Sequence, residues 1–98
     1  MAHVSDMKHP RVTFTPAAGQ PFLQQLRDAL RTPAVEAVTI DMGQVLSVDP
    51  GALGVLFTAG EQARAANKPV FVDQVRTPVY KALQLARLAT LFRRVHHG

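Results

Sequence analysis

The sequence predicts an α/β fold with a mixed, mostly parallel sheet, and three observations support this prediction. Short apolar runs alternate along the chain with longer segments whose apolar residues recur at helical spacing. Proline and glycine separate these segments. The chain has 98 residues, enough for one domain with its own apolar core. Strands and helices of this length are typical of right-handed β-α-β units with the helices packed on the sheet.

The first strand is predicted at residues 11–15, because Val12 and Phe14 alternate with polar neighbours. Residues 1–10 are expected to form a flexible segment or a weakly paired strand before the first strand, within a single domain that covers the whole chain. Pro21 can open the first helix, since a proline at that position has no N–H to lose, and Pro33 follows its end. The inner face of this helix is predicted to contain Leu23, Leu26, Ala29 and Leu30.

The second strand, residues 38–42, is followed by the best-defined helix start in the chain. Asp49 can accept the first free N–H groups of a helix, and Pro50 suits the first helical position. The helix is expected to end near Asn67. Its inner stripe is predicted to contain Leu53, Leu56, Phe57, Gly60 and Ala63, and its outer face Glu61, Gln62, Arg64 and Lys68.

The remaining elements that the pattern predicts are a third strand and a third helix. Residues 70–72 form an unbroken apolar run, which is typical of a parallel strand buried on both faces. Thr77 is predicted to cap the third helix, with Pro78 in its first turn. The apolar residues of this helix are Val79, Leu83 and Ala86, with Tyr80, Leu85 and Leu88 beside them.

One segment resembles the signature of a known family. The order Ile40-Asp41, a short gap and then Asp49-Pro50-Gly51-Ala52-Leu53-Gly54 is similar to the STAS domain pattern of strand, Asp, and Asp-Ser-Ser-Gly-Leu-Gly. STAS domains occur in bacterial anti-sigma-factor antagonists and attached to sulfate transporters. The resemblance implies a STAS-like sheet of four to five strands, packed with about three to four helices. It also implies a short last strand after Phe92, at residues 93–95.

The same resemblance implies a non-catalytic protein-interaction module. It places partner binding at Asp49, Pro50, Gly51, Ala52 and Leu53, with an anti-sigma factor or a kinase-like ATPase as the expected partner. In the antagonists the second Ser of the signature accepts phosphate, and here that phosphoacceptor position is Gly51. The loop is therefore expected to be non-phosphorylatable, since neither Ser47 nor Thr58 can replace that Ser without moving the local geometry.

The sequence also resembles a second group within the family. Small cytoplasmic STAS subunits of phospholipid-trafficking ABC transporters tolerate Asp-Thr-Gly-Gly-Leu in the signature, which is close to residues 49–53 here. The alternative function is therefore that of an accessory subunit which binds the ATPase subunit of such a transporter.

Composition restricts the other function classes. The net charge is +4, but the basic residues are scattered and only Arg93 and Arg94 are adjacent, which argues against specific nucleic-acid binding. The N-terminus lacks the pattern of a secretory signal, and Asp49 and Pro50 interrupt the longest nearly uncharged stretch. A cytoplasmic protein without membrane insertion is expected.

Catalytic and metal sites are not expected. The chain has no cysteine, and His3, His9, His96 and His97 lie near the termini without the spacing of a zinc site. Two carboxylates, Asp41 and Asp73, end neighbouring strands and could approach one another, which leaves acid–base or metal chemistry as a third hypothesis. Aspartates at strand ends more often accept N–H groups of the following turn, so no enzyme activity and no cofactor are predicted.

Overall fold

The computed structural model describes residues 8–17 and 19–95. In these ranges strands and helices alternate, as the sequence predicts. The elements are β1 (Arg11–Thr13), α1 (Gly19–Arg31), β2 (Val38–Asp41), α2 (Pro50–Ala66), β3 (Val70–Asp73), α3 (Thr77–Leu85), a 3-10 turn (Ala89–Leu91) and β4 (Arg93–Arg94). None of the helices in these two ranges is long and apolar enough to cross a bilayer.

The strands form one sheet in the order β1-β2-β3-β4, and all of their pairings are parallel. The expected α/β fold is confirmed, although the described strands form a purely parallel sheet rather than a mixed one. The weaker strand suggested before β1 lies outside the described residues. Of the N-terminal segment, Lys8 is described, and its carbonyl accepts the backbone N–H groups of Glu36 and Ala37 just before β2.

The register gives the two faces of the sheet different roles. Val12, Ile40 and Val72 are aligned across β1, β2 and β3, and all three are buried in the apolar core with residues of the helices. On the other face Phe71 is only half-buried. The prediction that β3 is buried on both faces is therefore wrong, because this side of Phe71 is incompletely covered by the described chain.

Helix α1 packs against the sheet and against α2. It begins at Gly19, two residues before the predicted start. Its buried residues are Phe22, Leu26 and Leu30, whereas Leu23 is half-buried. Phe22 meets the ring of Phe14 edge-on, with ring centroids 4.8 Å apart. The buried face of α1 is therefore shifted by about one residue from the inner face that the sequence predicts.

Helix α2 matches its predicted bounds and ends where Asn67 adopts the left-handed conformation, with φ 56°. Leu56, Gly60 and Ala63 are buried as predicted. Phe57 is not, because its side chain is 49% exposed. The small residues Ala52 and Ala59 are buried in the helix. A stripe of small residues lets this helix approach its neighbours closely, and the side chain of Leu91 lies directly over Gly60.

Lys68 follows α2 and was predicted to lie on its outer face. Its Nζ instead donates hydrogen bonds to the carbonyls of Leu30 (2.8 Å) and Thr32 (2.9 Å). These carbonyls lie at the end of α1, where a helix leaves carbonyl groups without intrahelical partners. A cation at this end also interacts favourably with the helix dipole. The side chain therefore connects the ends of the two helices.

Helix α3 differs from its prediction at both ends. The cap residue is Arg76, which makes no capping bond through its side chain, and Thr77 is already the first helical residue. The predicted Thr77 cap is therefore wrong. Val79 and Leu83 are buried as expected, but Leu85 is 87% exposed and Ala86 is exposed at the C-cap.

Candidate functional site

The residues of the signature lie around the first turn of α2, close to the edge of the sheet where the parallel strands end. Asp49 is the cap residue in extended conformation, and its Oδ1 accepts the N–H of Ala52 at 2.7 Å. Its carbonyl accepts the N–H of Leu53 at 3.0 Å. The first bond satisfies a donor that a helix start leaves free, and the second is the first backbone bond of the helix, so the turn has a defined shape.

Gly51 is exposed on this turn. A Cβ added there would come no closer than 3.4 Å to the Asp49 carboxylate, and no other heavy atom would lie within 4 Å. The position is therefore open to a side chain and accessible from outside. Pro50 and Asp49 are exposed beside it, whereas Leu53 is half-buried and Ala52 is buried. Ala52 is therefore not available for contact with a partner and packs on the inner side of the turn.

Further along α2, exposed positions continue from this turn. Pro50, Gly54 and Phe57 are spaced four and then three residues apart, so they lie on one face of the helix. Nothing lies within 4 Å of a Cβ placed on Gly54. We call Asp49, Pro50, Gly51, Gly54 and Phe57 the signature surface. It combines an exposed carboxylate, two glycines that leave the backbone accessible, and an aromatic ring that is half in solvent.

A second cluster of polar side chains lies near the ends of β2 and β3, and the sequence pattern indicated only its two aspartates. Arg11 of β1 donates from Nε to Asp41 Oδ2 (3.2 Å) and from a terminal nitrogen to Asp73 Oδ2 (2.7 Å). The remaining oxygens accept the backbone N–H groups of Gly43 and Gln74, each at 2.8 Å. The two aspartates thus do come together, held by an arginine.

This Arg11 network has a clear electrostatic character. Asp73 is buried, with 6% of its surface exposed, whereas Arg11 remains on the surface. The hydrogen bond to Asp73 raises the pKa of the Arg11 guanidinium, while burial acts in the opposite direction. Each of the four aspartate oxygens has a donor, so the network binds β1 to the turns that follow β2 and β3.

A metal centre finds no support in this region. Among residues 8–17 and 19–95, no group of three His, Asp or Glu side chains could hold a metal ion. His9 is exposed and lies 3.5 Å from Glu36. His3, His96 and His97 fall outside the described residues. The open cavity of about 300 Å³ at this sheet edge is lined by Gly43, Arg76 and Arg94, among others, but not by Asp41 or Asp73.

Comparison with known proteins identifies the family. A family model described as "Mlab, STAS domain" matches residues 13–93, which is most of the chain. The chain belongs to the STAS domain family. No curated protein sequence matches it.

Solved structures show the same fold. The Moorella thermoacetica protein RsbS carrying a Ser-to-Glu substitution has a TM-score of 0.71 with 16% identity, covering 93% of this chain and 81% of its own. A Planctomyces limnophilus anti-sigma-factor antagonist (STAS) domain protein has a TM-score of 0.67 and 11% identity, over 90% and 82%. A candidate anti-sigma factor antagonist of Thermotoga maritima has a TM-score of 0.67 and 14% identity, over 92% and 74%. At these identities the likeness concerns the fold.

In this STAS domain, sequence reasoning located the signature turn but missed two of its neighbours. Phe57 was assigned to the core because its spacing fits the inner stripe of α2. Leu46, in the loop before α2, is 70% exposed and was not singled out. The loop between β2 and α2 has eight residues, 42–49, without a charged side chain before Asp49, and this was the available clue to an exposed apolar side chain there. Arg11 gave no local clue, because its partners are 30 and 62 residues away.

Proposed function

We propose that this STAS protein is a non-catalytic module that binds a protein partner through the signature surface, without the phosphorylation switch of antagonists that carry the signature serine. Exposure of Gly51 at the start of α2 is the observation that carries the proposal. A partner can reach this position, yet a glycine offers no hydroxyl. Binding is then constitutive or controlled on the partner's side.

The shape and chemistry of the signature surface suit a protein contact. Gly51 and Gly54 allow a partner to approach the helix backbone closely. Phe57 supplies an exposed aromatic side chain, a residue class enriched in the centres of protein interfaces. The Asp49 carboxylate fixes the turn through Ala52, so little conformational freedom is lost on binding.

Other hydroxyl groups are poor replacements for the missing serine. Thr58 is one turn into the helix beyond Gly54, and its hydroxyl donates to the carbonyl of Gly54 at 3.2 Å. Ser47 is exposed but precedes the cap by two residues. Phosphorylation adds nearly two negative charges, which an apolar contact tolerates poorly. With Gly51 at the signature position this means of releasing a partner is absent.

The absence of catalysis in the proposal follows from how the carboxylates are used. Both oxygens of Asp41 and both oxygens of Asp73 accept hydrogen bonds from Arg11 or from turn N–H groups. A general base needs an oxygen within reach of a substrate proton. These aspartates instead connect β1 to the turns that follow β2 and β3.

The proposal is tested with a tagged full-length chain. Proteins recovered from the native cell are identified, and the affinity of the recovered partner is measured for Gly51→Glu and for the control Lys81→Glu, which alters an exposed position on α3. Gly51→Glu is expected to weaken binding at least tenfold, and Lys81→Glu less than twofold. Equal affinities for both variants would place the contact elsewhere.

Phosphorylation is tested separately. The chain is incubated with ATP and a cognate histidine-kinase-like ATPase, and its intact mass is measured. No added phosphate is expected. An adduct mapped to Ser47 or Thr58 would contradict the proposal that the switch is lost, whereas a Gly51→Ser variant that gains phosphate would support it and show that the kinase is active.

A transport role is the second candidate, favoured by two observations. Residues 49–53 resemble the Asp-Thr-Gly-Gly-Leu variant of STAS subunits from phospholipid-trafficking ABC transporters, and the matching family model is described as "Mlab, STAS domain". Recovery of an ABC transporter ATPase subunit with the tagged chain would favour transport. Recovery of an anti-sigma factor or of a kinase-like ATPase would favour regulation.

A further inference from the structure

The positive charge of the chain is concentrated towards its C-terminal end. Five of the eleven Lys and Arg residues fall within residues 74–98, whereas all seven Asp and Glu residues precede this segment. The net charge of +4 therefore originates from the last quarter of the sequence. All five basic side chains are exposed. They belong to Arg76, Lys81, Arg87, Arg93 and Arg94.

Four of these residues surround helix α3. Arg76 is its N-cap residue, Lys81 lies in the middle of the helix, and Arg87 follows the C-cap. Arg94 of β4 lines the same cavity as Arg76, of about 300 Å³. Arg93 lines a different cavity. Four cations thus lie along and beside one helix.

These charges are not neutralised within the part of the chain that the structure describes. The ion pairs there are formed by His9, Arg11 and Arg64, and none involves a basic residue of segment 74–95. Arg76 donates a hydrogen bond to the carbonyl of Gly43 at 3.2 Å, which leaves its positive charge uncompensated. An anionic surface therefore meets no nearby carboxylate of this segment that would repel it.

An apolar side chain lies among these cations. Leu85, in the last turn of α3, is 87% exposed, the most exposed large apolar side chain of the described residues. It is one turn from Lys81 on the same face of the helix. Val79 and Leu83 bury the opposite side of α3 in the core. We call Arg76, Lys81, Leu85, Arg87 and Arg94 the α3 surface.

From this arrangement we propose that the α3 surface binds peripherally to an anionic phospholipid membrane. Its basic side chains contact the lipid phosphates, and Leu85 reaches the boundary between headgroups and acyl chains. Attraction of anionic lipids to basic residues and burial of apolar area both strengthen such a contact. Because Val79 and Leu83 remain in the core, α3 lies on the membrane and does not cross it. The proposal stands independently of the signature surface.

The spacing of the charges favours lipid over an acidic protein. Arg76 and Arg87 lie at opposite ends of α3, a helix of nine residues that is roughly 14 Å long at 1.5 Å per residue. Carboxylates on a folded protein have fixed positions and must match every cation at once. Lipids diffuse within the bilayer, so a headgroup can reach each cation separately.

The apolar and aromatic side chains of this region favour lipid over a nucleic acid. A phosphate backbone offers no apolar surface that would cover Leu85. Bases bind to proteins largely by stacking on exposed aromatic rings. Here the guanidinium of Arg94 lies over the Tyr80 ring, 4.3 Å from its centre, so a base cannot stack on that face.

Flotation with lipid vesicles tests the proposal on the full chain. Phosphatidylcholine vesicles with about 30% phosphatidylglycerol are expected to bind it at least tenfold more strongly than pure phosphatidylcholine, and added salt should weaken this binding. Lys81→Glu/Arg87→Glu should reduce binding at least tenfold. The matched control Arg27→Glu/Arg31→Glu makes the same change in net charge at exposed positions of α1 and should reduce it less than threefold. Both double variants should retain the parent far-UV circular dichroism spectrum, because all four side chains are exposed.

A tryptophan probe locates the contact. The chain contains no tryptophan, so a single introduced one reports on its own position alone. The fluorescence of Leu85→Trp is expected to shift to shorter wavelength when anionic vesicles are added, because the ring leaves water. Leu46→Trp, at another strongly exposed leucine, should show no shift. Leu85→Ser should weaken vesicle binding at least threefold without lowering the melting temperature.

Three results would overturn the proposal. One is equal binding, or none, to neutral and anionic vesicles. Another is an equal loss in the two double variants, which would show that net charge alone attracts the chain. The third is binding to polyglutamate or duplex DNA that Leu85→Ser leaves unchanged, with no vesicle binding, which would assign the α3 surface to an acidic protein or a nucleic acid. Gly51→Glu, which alters the signature surface, should change vesicle binding less than twofold.

Discussion

The two glycines within α2 allow the same substitution to be compared in two packing environments. Replacing glycine by alanine in a helix interior stabilises the helix by about 1 kcal/mol when nothing else changes. At Gly54 no heavy atom outside the flanking residues and the backbone of the same helix lies within 4 Å of the added Cβ. Gly54→Ala is therefore expected to raise the free energy of unfolding by about 0.5–1 kcal/mol.

At Gly60 the same methyl group meets Leu91. The added Cβ would lie 2.5 Å from Leu91 Cδ1 and 2.9 Å from Leu91 Cβ. Rotation of the side chain can move Cδ1, but the backbone fixes Cβ, so the 3-10 turn itself must shift. Overpacking of this kind costs about 1–3 kcal/mol, which outweighs the helix propensity gain. Gly60→Ala is expected to lower stability by up to about 2 kcal/mol relative to the parent.

Urea unfolding followed by far-UV circular dichroism measures both effects. The two variants should differ by about 1–3 kcal/mol, and their melting temperatures by at least about 4 °C, for a domain of this size. In a Leu91→Ala background the cost of Gly60→Ala should decrease, because Cδ1 and Cγ are removed while Cβ remains. If Gly60→Ala proved as stable as Gly54→Ala, the close packing of Leu91 on α2 would be refuted.

Three further substitutions test individual contacts by the same unfolding measurement. Lys68→Met removes two hydrogen bonds to carbonyls at the end of α1 and should lower stability by about 1–2 kcal/mol. The control Lys81→Met, on the exposed side of α3, should change stability by less than about 0.5 kcal/mol. Equal effects of the two substitutions would show that the Lys68 contacts contribute nothing. Arg11→Met removes the cation that is hydrogen-bonded to the buried Asp73 and should lower stability by about 1–3 kcal/mol. An unchanged urea midpoint of unfolding would contradict a structural role for the Arg11 network. Asp49→Ala should lower stability by about 1 kcal/mol, because the N-cap hydrogen bond is lost. Asp49→Asn keeps an oxygen that can accept this bond, so it should lose much less stability. A similar loss in both variants would mean that the charge of Asp49, and not the capping bond, fixes the turn.

The order of elements and the signature turn could be predicted because their causes are local. A cap such as Asp49 bonds to an N–H three residues away, and Pro50 restricts its own backbone, so both act within one turn of the chain. The strands and helices were recognisable from the spacing of apolar residues. The absence of a hydroxyl at Gly51 is likewise a property of the sequence alone.

Tertiary structure decided which side of each element is covered. Phe57 and Leu56 are neighbours with similar hydropathy, yet only Leu56 lies where β-strands and helices converge. Helical spacing defines an apolar face to within about one residue, and neighbouring elements decide which edge of that face meets solvent. Thr77 shows a similar limit at a helix start. From sequence a threonine before a proline suits the N-cap position, but in the folded chain the helix begins one residue earlier and Thr77 is its first residue.

The sequence by itself determined the α/β alternation, the family and the absence of a hydroxyl at Gly51, because each depends on residues that are close together in the chain. Only the folded chain brought Arg11 to Asp73 and Lys68 to the end of α1, across 62 and 38 residues. Contacts at such separations depend on how the β-α-β units pack, and packing is a property of the whole chain.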